Sequence, residues 1–217
     1  MANALNKQHR KSVKEVKRKE REMEKRYGLP TAIAMVIGIV IGSGVFIKGG
    51  KVLSLAGGDM GKAVLDAPKI PVLAKTPRVI GEPVHIAGGE PTITCVSMGN
   101  PHCVVFTDGI DDMPLEQIGP KFENDPIFPE RVNAEFVEAV DAKTLRMRVW
   151  ERGSGETWAC GTGACAVCVA AVENGISPRD TDITVKLRGG DLTINYHSDG
   201  TVIMTGPATF VFDGELV

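Results

Sequence analysis

The segment Ala159-Cys160-Gly161-Thr162-Gly163-Ala164 is the part of this sequence best suited to do chemistry. A cysteine stands before two glycines and a threonine. From Gly163 to Asn174 the sequence then runs GACAVCVAAVEN, apolar almost all round and rich in alanine. That run reads as a buried helix, closed by Asn174-Gly175 as its C-cap. Cys160 would then sit at a helix N-terminus, where free N–H groups and partial positive charge gather. Such a place is expected to lower a thiol's pKa and favour thiolate. It also suits an anion such as a carboxylate, and the glycines let a ligand approach the backbone. One turn could therefore hold a substrate carboxylate and a base beside its α-carbon. The plainer alternative is an inert buried cysteine next to a Gly-rich turn.

Three upstream segments could join it: Gly99-Asn100-Pro101-His102, Asn133-Ala134-Glu135-Phe136, and Val149 to Thr157, VWERGSGET. Each places hydrogen-bonding side chains beside glycine or at a strand end. Taken singly, Asn and His beside Pro are ordinary turn residues, and Glu151-Arg152 an ordinary surface pair. Cys160-x4-Cys165-x2-Cys168 has the spacing of a plant-type [2Fe-2S] loop, but that loop needs a fourth cysteine downstream and none follows Cys168. A CxxC redox role for Cys165 and Cys168 is disfavoured, because both fall inside the expected helix.

The elements around these residues read as short β runs between Gly, Pro and Asp turns. They are KIPVLA, EPVHIAG, PTITCVSMG, HCVVFTDG, NAEFVEAVD, TLRMRVWERG, DITVKLRGG, DLTINYHSDG, TVIMTG and ATFVFDGEL. Their spacing indicates a mostly antiparallel sheet or barrel, and HSDG is a hairpin turn. The expected fold class is α+β, with the sheet wrapped around one buried central helix.

The N-terminal stretch is of other material. Met1–Tyr27 holds ten Lys/Arg against four Glu and reads as a charged helix or tail. The rest of the chain holds 15 basic and 23 acidic residues, which argues against nucleic acid as a partner. Leu29–Ile47, LPTAIAMVIGIVIGSGVFI, is a charge-free run of 19 residues after a basic flank, so a membrane contact through 29–47 is expected. Five cysteines, an odd number, point to reduced thiols in the cytoplasm.

Two resemblances organise these blocks. Residues 27–59, centred on GIVIGSGVFIKGG, resemble the first transmembrane helix of amino-acid permeases of the polyamine and organocation type. In that family a Gly-Ser-Gly break, here Gly42, Ser43 and Gly44, binds the substrate carboxylate. The remaining helices of such a permease do not occur in these 217 residues. From Asp59 to Val217 the ordered segments above, together with DMGKA, IPV and MTGPATFVFDGE, resemble the second domain of diaminopimelate epimerase. The division expected is 1–27 charged segment, 28–58 hydrophobic segment and 59–217 epimerase-like domain.

The second resemblance implies stereoinversion of LL-diaminopimelate to the meso form, in lysine and peptidoglycan precursor synthesis, with no cofactor and no metal. Cys160 matches one of two proton-transferring cysteines. Gly161 and Thr162 match backbone donors to the α-carboxylate. Glu151 matches an acidic residue at the α-amino group near the reacting carbon, and His102 a histidine near the opposing cysteine. Asn100, Asn133 and Arg152 match side chains that read the distal end of the substrate. The family's first domain carries its other cysteine in a Cys-Gly-Asn-Gly type motif, and no such motif occurs here. A basic flank retained in the cytoplasm would export Met60 onward, so a fusion near Gly58-Asp59-Met60-Gly61 is expected rather than a working membrane tether.

Overall fold

The computed structural model describes residues 58–207, which belong to the unit Ser54–Val217. The charged segment 1–27, the run Leu29–Ile47 and the closing ATFVFDGEL lie outside the described residues. Among those described, no helix is long and apolar enough to cross a membrane.

Among the described residues ten strands form one sheet: β1 (Gly58–Lys62), β2 (Glu82–Pro83), β3 (Thr92–Ser97), β4 (Pro101–Phe106), β5 (Asn133–Asp141), β6 (Thr144–Glu151), β7 (Gly155–Thr157), β8 (Asp182–Leu187), β9 (Gly190–Tyr196) and β10 (Thr201–Thr205). Their order is β1-β10-β9-β8-β6-β5-β4-β3-β2, with β7 on β6. Most pairs are antiparallel, as expected, but β4/β5 and β6/β8 are parallel. Parallel neighbours need a long crossover, and each crossover here carries a helix. Helix α1 (Leu115–Glu123) bridges β4 to β5, and α2 (Gly161–Glu173) lies between β6 and β8.

Alternation along the strands explains why both helices are needed. On β4, Val104 faces the α2 cluster while Cys103 and Val105 face a second cluster that includes Leu115 and Phe122 of α1. On β5, Val137 faces α2, and Ala134 and Phe136 face the other side. Successive side chains point to opposite faces, so Asn133 and Glu135 share the α2 face with Val137. The first five residues of β5 are all buried, because a strand covered on both faces has no wet side.

Helix α2 is the buried central helix anticipated from the sequence, and every residue from Gly163 to Ala171 is buried. Its glycines and valines are weak helix formers, so packing against the surrounding strands holds it rather than propensity. It ends as a Schellman motif. Gly175 takes φ +72°, with Gly175 N–H on Val172 O and Ile176 N–H on Ala171 O. The Asn174 amide adds a bond to Ala170 O.

Two expectations are corrected. Helix α1 was not foreseen, since LEQIGPKFE places Gly119 and Pro120 mid-helix and hides the helical period. Gly119 is there because the Trp150 ring lies where a side chain would be, 2.3 Å from a built Cβ. KIPVLA is not a strand. Ala67–Lys69 is a 3₁₀ turn with Pro68 in its first turn, and the chain turns again at Ile70 and Pro71.

Candidate active site

Topology gathers the candidate residues at one end of the sheet. Strands β4 and β5 run parallel, so their first residues, near His102 and Asn133, lie side by side. Strand β6 runs opposite to β5 and delivers its last residues, Trp150 and Glu151, to the same end. After β7 the chain turns into α2 at Cys160.

Cys160 is the N-cap of α2, as its sequence position implied, and its Sγ accepts the Gly163 N–H at 3.3 Å. The Thr162 hydroxyl stands 3.6 Å from the same sulfur. From there a chain of side chains runs inward. Asn100 Nδ2 donates to Thr162 Oγ1 at 3.3 Å, Asn100 Oδ1 meets His102 Nε2 at 3.0 Å, and His102 Nδ1 meets Glu135 Oε1 at 2.6 Å. His102 and Glu135 are wholly buried.

The expected lowering of the Cys160 pKa is overturned. Burial pushes the thiol up to about 12, and the nearby carboxylates of Glu135 and Glu151 push the same way. The bonds from Thr162 and the Gly163 N–H oppose this but do not win. A helix terminus alone favours thiolate, but here desolvation and two acidic neighbours outweigh it. Cys160 is therefore held as a thiol, with the Gly163 N–H and the Thr162 hydroxyl already at its sulfur.

Other candidates brace the loops. Asn133 Nδ2 donates to Pro101 O at 2.8 Å and its Oδ1 accepts from Arg152 N at 2.9 Å, tying the start of β4 to the end of β6. The Arg152 side chain donates to Glu130 O. Glu151 accepts from the Thr157 hydroxyl. Two acidic residues were not anticipated as parts of this site. Glu135 sits within the quoted NAEF segment, and its phase with Val137 on a buried face was the available signal. Glu123, on the unforeseen α1, receives Trp150 Nε1, Arg131 and Gly153 N, and so pins the loop that carries Arg152. Neither of two surface clefts, of about 340 and 540 Å³, is lined by Cys160.

Comparison with known proteins decides what this constellation belongs to. The family model described as diaminopimelate epimerase matches residues 94–211, more than half of the chain. The chain belongs to the diaminopimelate epimerase family. It is 57% identical over 159 residues to the diaminopimelate epimerase of Acetivibrio thermocellus, covering 73% of this chain and 56% of that one. It is 52% identical over 171 residues to that of Methanococcus maripaludis strain S2, covering 78% and 61%. With the Geobacillus kaustophilus protein of the same name it shares 54% over 157 residues, 72% and 54% of the two chains. The chain thus spans little more than half the length of these family members.

Proposed function

We propose that residues 58–207 form the Cys160-bearing half of a diaminopimelate epimerase site. The observation that carries this reading is the Cys160 sulfur at a buried helix N-cap, held by the Gly163 N–H and faced by Thr162. The α-carboxylate would rest on the first N–H groups of α2, at Gly161 and Thr162. Glu151 is the acidic group for the α-amino end, and Asn100, Asn133 and Arg152 border the space for the distal end. His102 stands behind Asn100 and reaches the substrate only through it.

Inversion moves one proton on and one off. A thiolate on the opposite face takes the α-proton, and the C–H electron pair stays on carbon. Cys160 delivers its S–H proton to the other face and becomes the thiolate. The Gly163 N–H and the Thr162 hydroxyl then stabilise that charge. The raised thiol fits the donor role in this direction, and reversal swaps the roles. Trp158, two residues before Cys160, is 72% exposed, which supports a face that receives another protein surface. The free cysteines fit a reducing cytoplasm. For Leu29–Ile47 a membrane contact is supported by sequence alone, and retention in the pellet after a carbonate wash would test it.

The experiment is incubation of this chain with LL-diaminopimelate in D₂O, read by mass spectrometry and chiral chromatography. From the LL isomer neither α-deuteration nor meso product is expected, because its α-proton faces away from Cys160. The meso isomer, run in parallel, presents an α-proton to Cys160 and is expected to deuterate slowly without inversion, an exchange lost in Cys160→Ala. Lacking the second acid–base group costs about 10²- to 10⁴-fold. Deuteration that survives Cys160→Ala would remove Cys160 from the chemistry.

A further inference from the structure

Glu135 is the group at this site whose presence the proton-transfer scheme does not explain. It is a carboxyl with no solvent exposure, one oxygen on His102 and the other, Oε2, without a hydrogen-bond partner. A buried carboxyl is costly unless its protons and partners are arranged. We propose that Glu135 is a positioning residue, acting through His102 and Asn100 to aim the Thr162 hydroxyl at Cys160. The proposal rests on Cys160 as the proton-transferring thiol.

Protons can be placed one by one along the chain of contacts. Asn100 gives its Nδ2 to Thr162 Oγ1, so the atom it turns to His102 is Oδ1. An amide oxygen only accepts, so His102 Nε2 carries a hydrogen. On the ring's other side a proton lies in the 2.6 Å contact between Nδ1 and Glu135 Oε1. The His102–Glu135 pair thus holds two protons and is neutral as a unit. Burial raising the Glu135 carboxyl fits that retention. With one lone pair of Oγ1 taken by Asn100, the Thr162 hydrogen is free to point at Cys160 Sγ.

Without Glu135 a neutral His102 has one proton for two nitrogens. If Nε2 loses its hydrogen it becomes an acceptor, and the Asn100 amide turns over to donate to it. Asn100 Oδ1 then takes the Thr162 hydrogen, and Cys160 loses a donor that favours its thiolate. Gly163 lets Glu135 lie this close. A Cβ there would stand 2.9 Å from Glu135 Oε1 and 3.2 Å from Cys160 Sγ.

The test is the alkylation rate of Cys160 in the full chain, read by peptide mapping after limiting iodoacetamide. Glu135→Gln is expected to slow it roughly fivefold, the worth of one hydrogen bond. Thr162→Ala is expected to slow it similarly, and the double variant no further, because both act through one hydroxyl. Faster alkylation in Glu135→Gln, persisting in the Thr162→Ala background, would show that the Glu135 charge acting through space outweighs any positioning and would overturn the proposal. Should the variants not fold, ¹⁵N NMR of His102 in the unmutated chain decides. A hydrogen on Nε2 is expected, and a bare Nε2 overturns the proposal. Neither readout needs turnover, so failure of the epimerase reading in D₂O would be seen separately.

Discussion

Helix α2 carries three thiols in nine residues, and its first turn differs from its body. Cys165 and Cys168 are wholly buried within the cluster that surrounds the helix, and burial is the first cause raising each. Cys160 is slightly open, and burial raises it too, to about 12. What sets Cys160 apart is therefore not a low resting pKa. It is a pair of groups at its sulfur, the Gly163 N–H, which donates, and the Thr162 hydroxyl, which can donate to the charge that forms when the proton leaves. A helix terminus can serve a thiol by stabilising its product state even where desolvation fixes its resting state.

The largest expected effect is in reactivity. Alkylation of the folded chain should mark Cys160 at least about a hundredfold faster than Cys165 or Cys168, which react only when the helix opens. Time-resolved peptide mapping checks this. Equal rates at the three sites would mean that a shared opening event governs them and that the helix start holds no special thiol.

A smaller effect separates the two regions by fit. Gly163→Ala drives a methyl against Glu135 and Cys160, and overpacking of this kind costs about 1–3 kcal/mol. Cys165→Ala only trims a buried sulfur and should cost about 1 kcal/mol. Urea unfolding of both variants gives the comparison. A neutral Gly163→Ala would show that the first turn is loosely packed and that Glu135 has room to move.

The sequence made the helix start legible and its energetics illegible. GACAVCVAAVEN declares a buried helix by composition, and Asn174-Gly175 declares its end, so α2 was read to within two residues. Cys160, Thr162 and Asn100 were named in advance, and the structure links them in one hydrogen-bonded chain. Glu135 was passed over because a strand's facing depends on what covers each side. That in turn depended on α1, whose Gly119 and Pro120 answer to Trp150 and the crossover rather than to helix propensity. The Cys160 thiol was misjudged for a related reason. A terminus is visible along the chain, while the Glu135 carboxylate that opposes it arrives from a different strand.

A third effect tests that last point by linkage to pH. An unfolded thiol releases its proton near pH 8.5. A native Cys160 raised to about 12 keeps its proton above that pH. The native state then binds more protons than the unfolded state, so stability is unaffected by this group below about pH 8 and falls as pH rises beyond 9. Each such thiol contributes a slope of about 1.4 kcal/mol per pH unit. Between about pH 9 and 11, Cys160→Ala and Cys165→Ala should each remove one such slope, measured by urea unfolding across the range. An equal loss means that desolvation rules both the first turn and the body of the helix and that the donors at Cys160 act only once the proton has gone. If Cys160→Ala leaves the slope untouched while Cys165→Ala flattens it, Cys160 ionises in the folded chain as readily as in the unfolded one. The donors would then offset burial, and the thiol would not be raised in the folded chain.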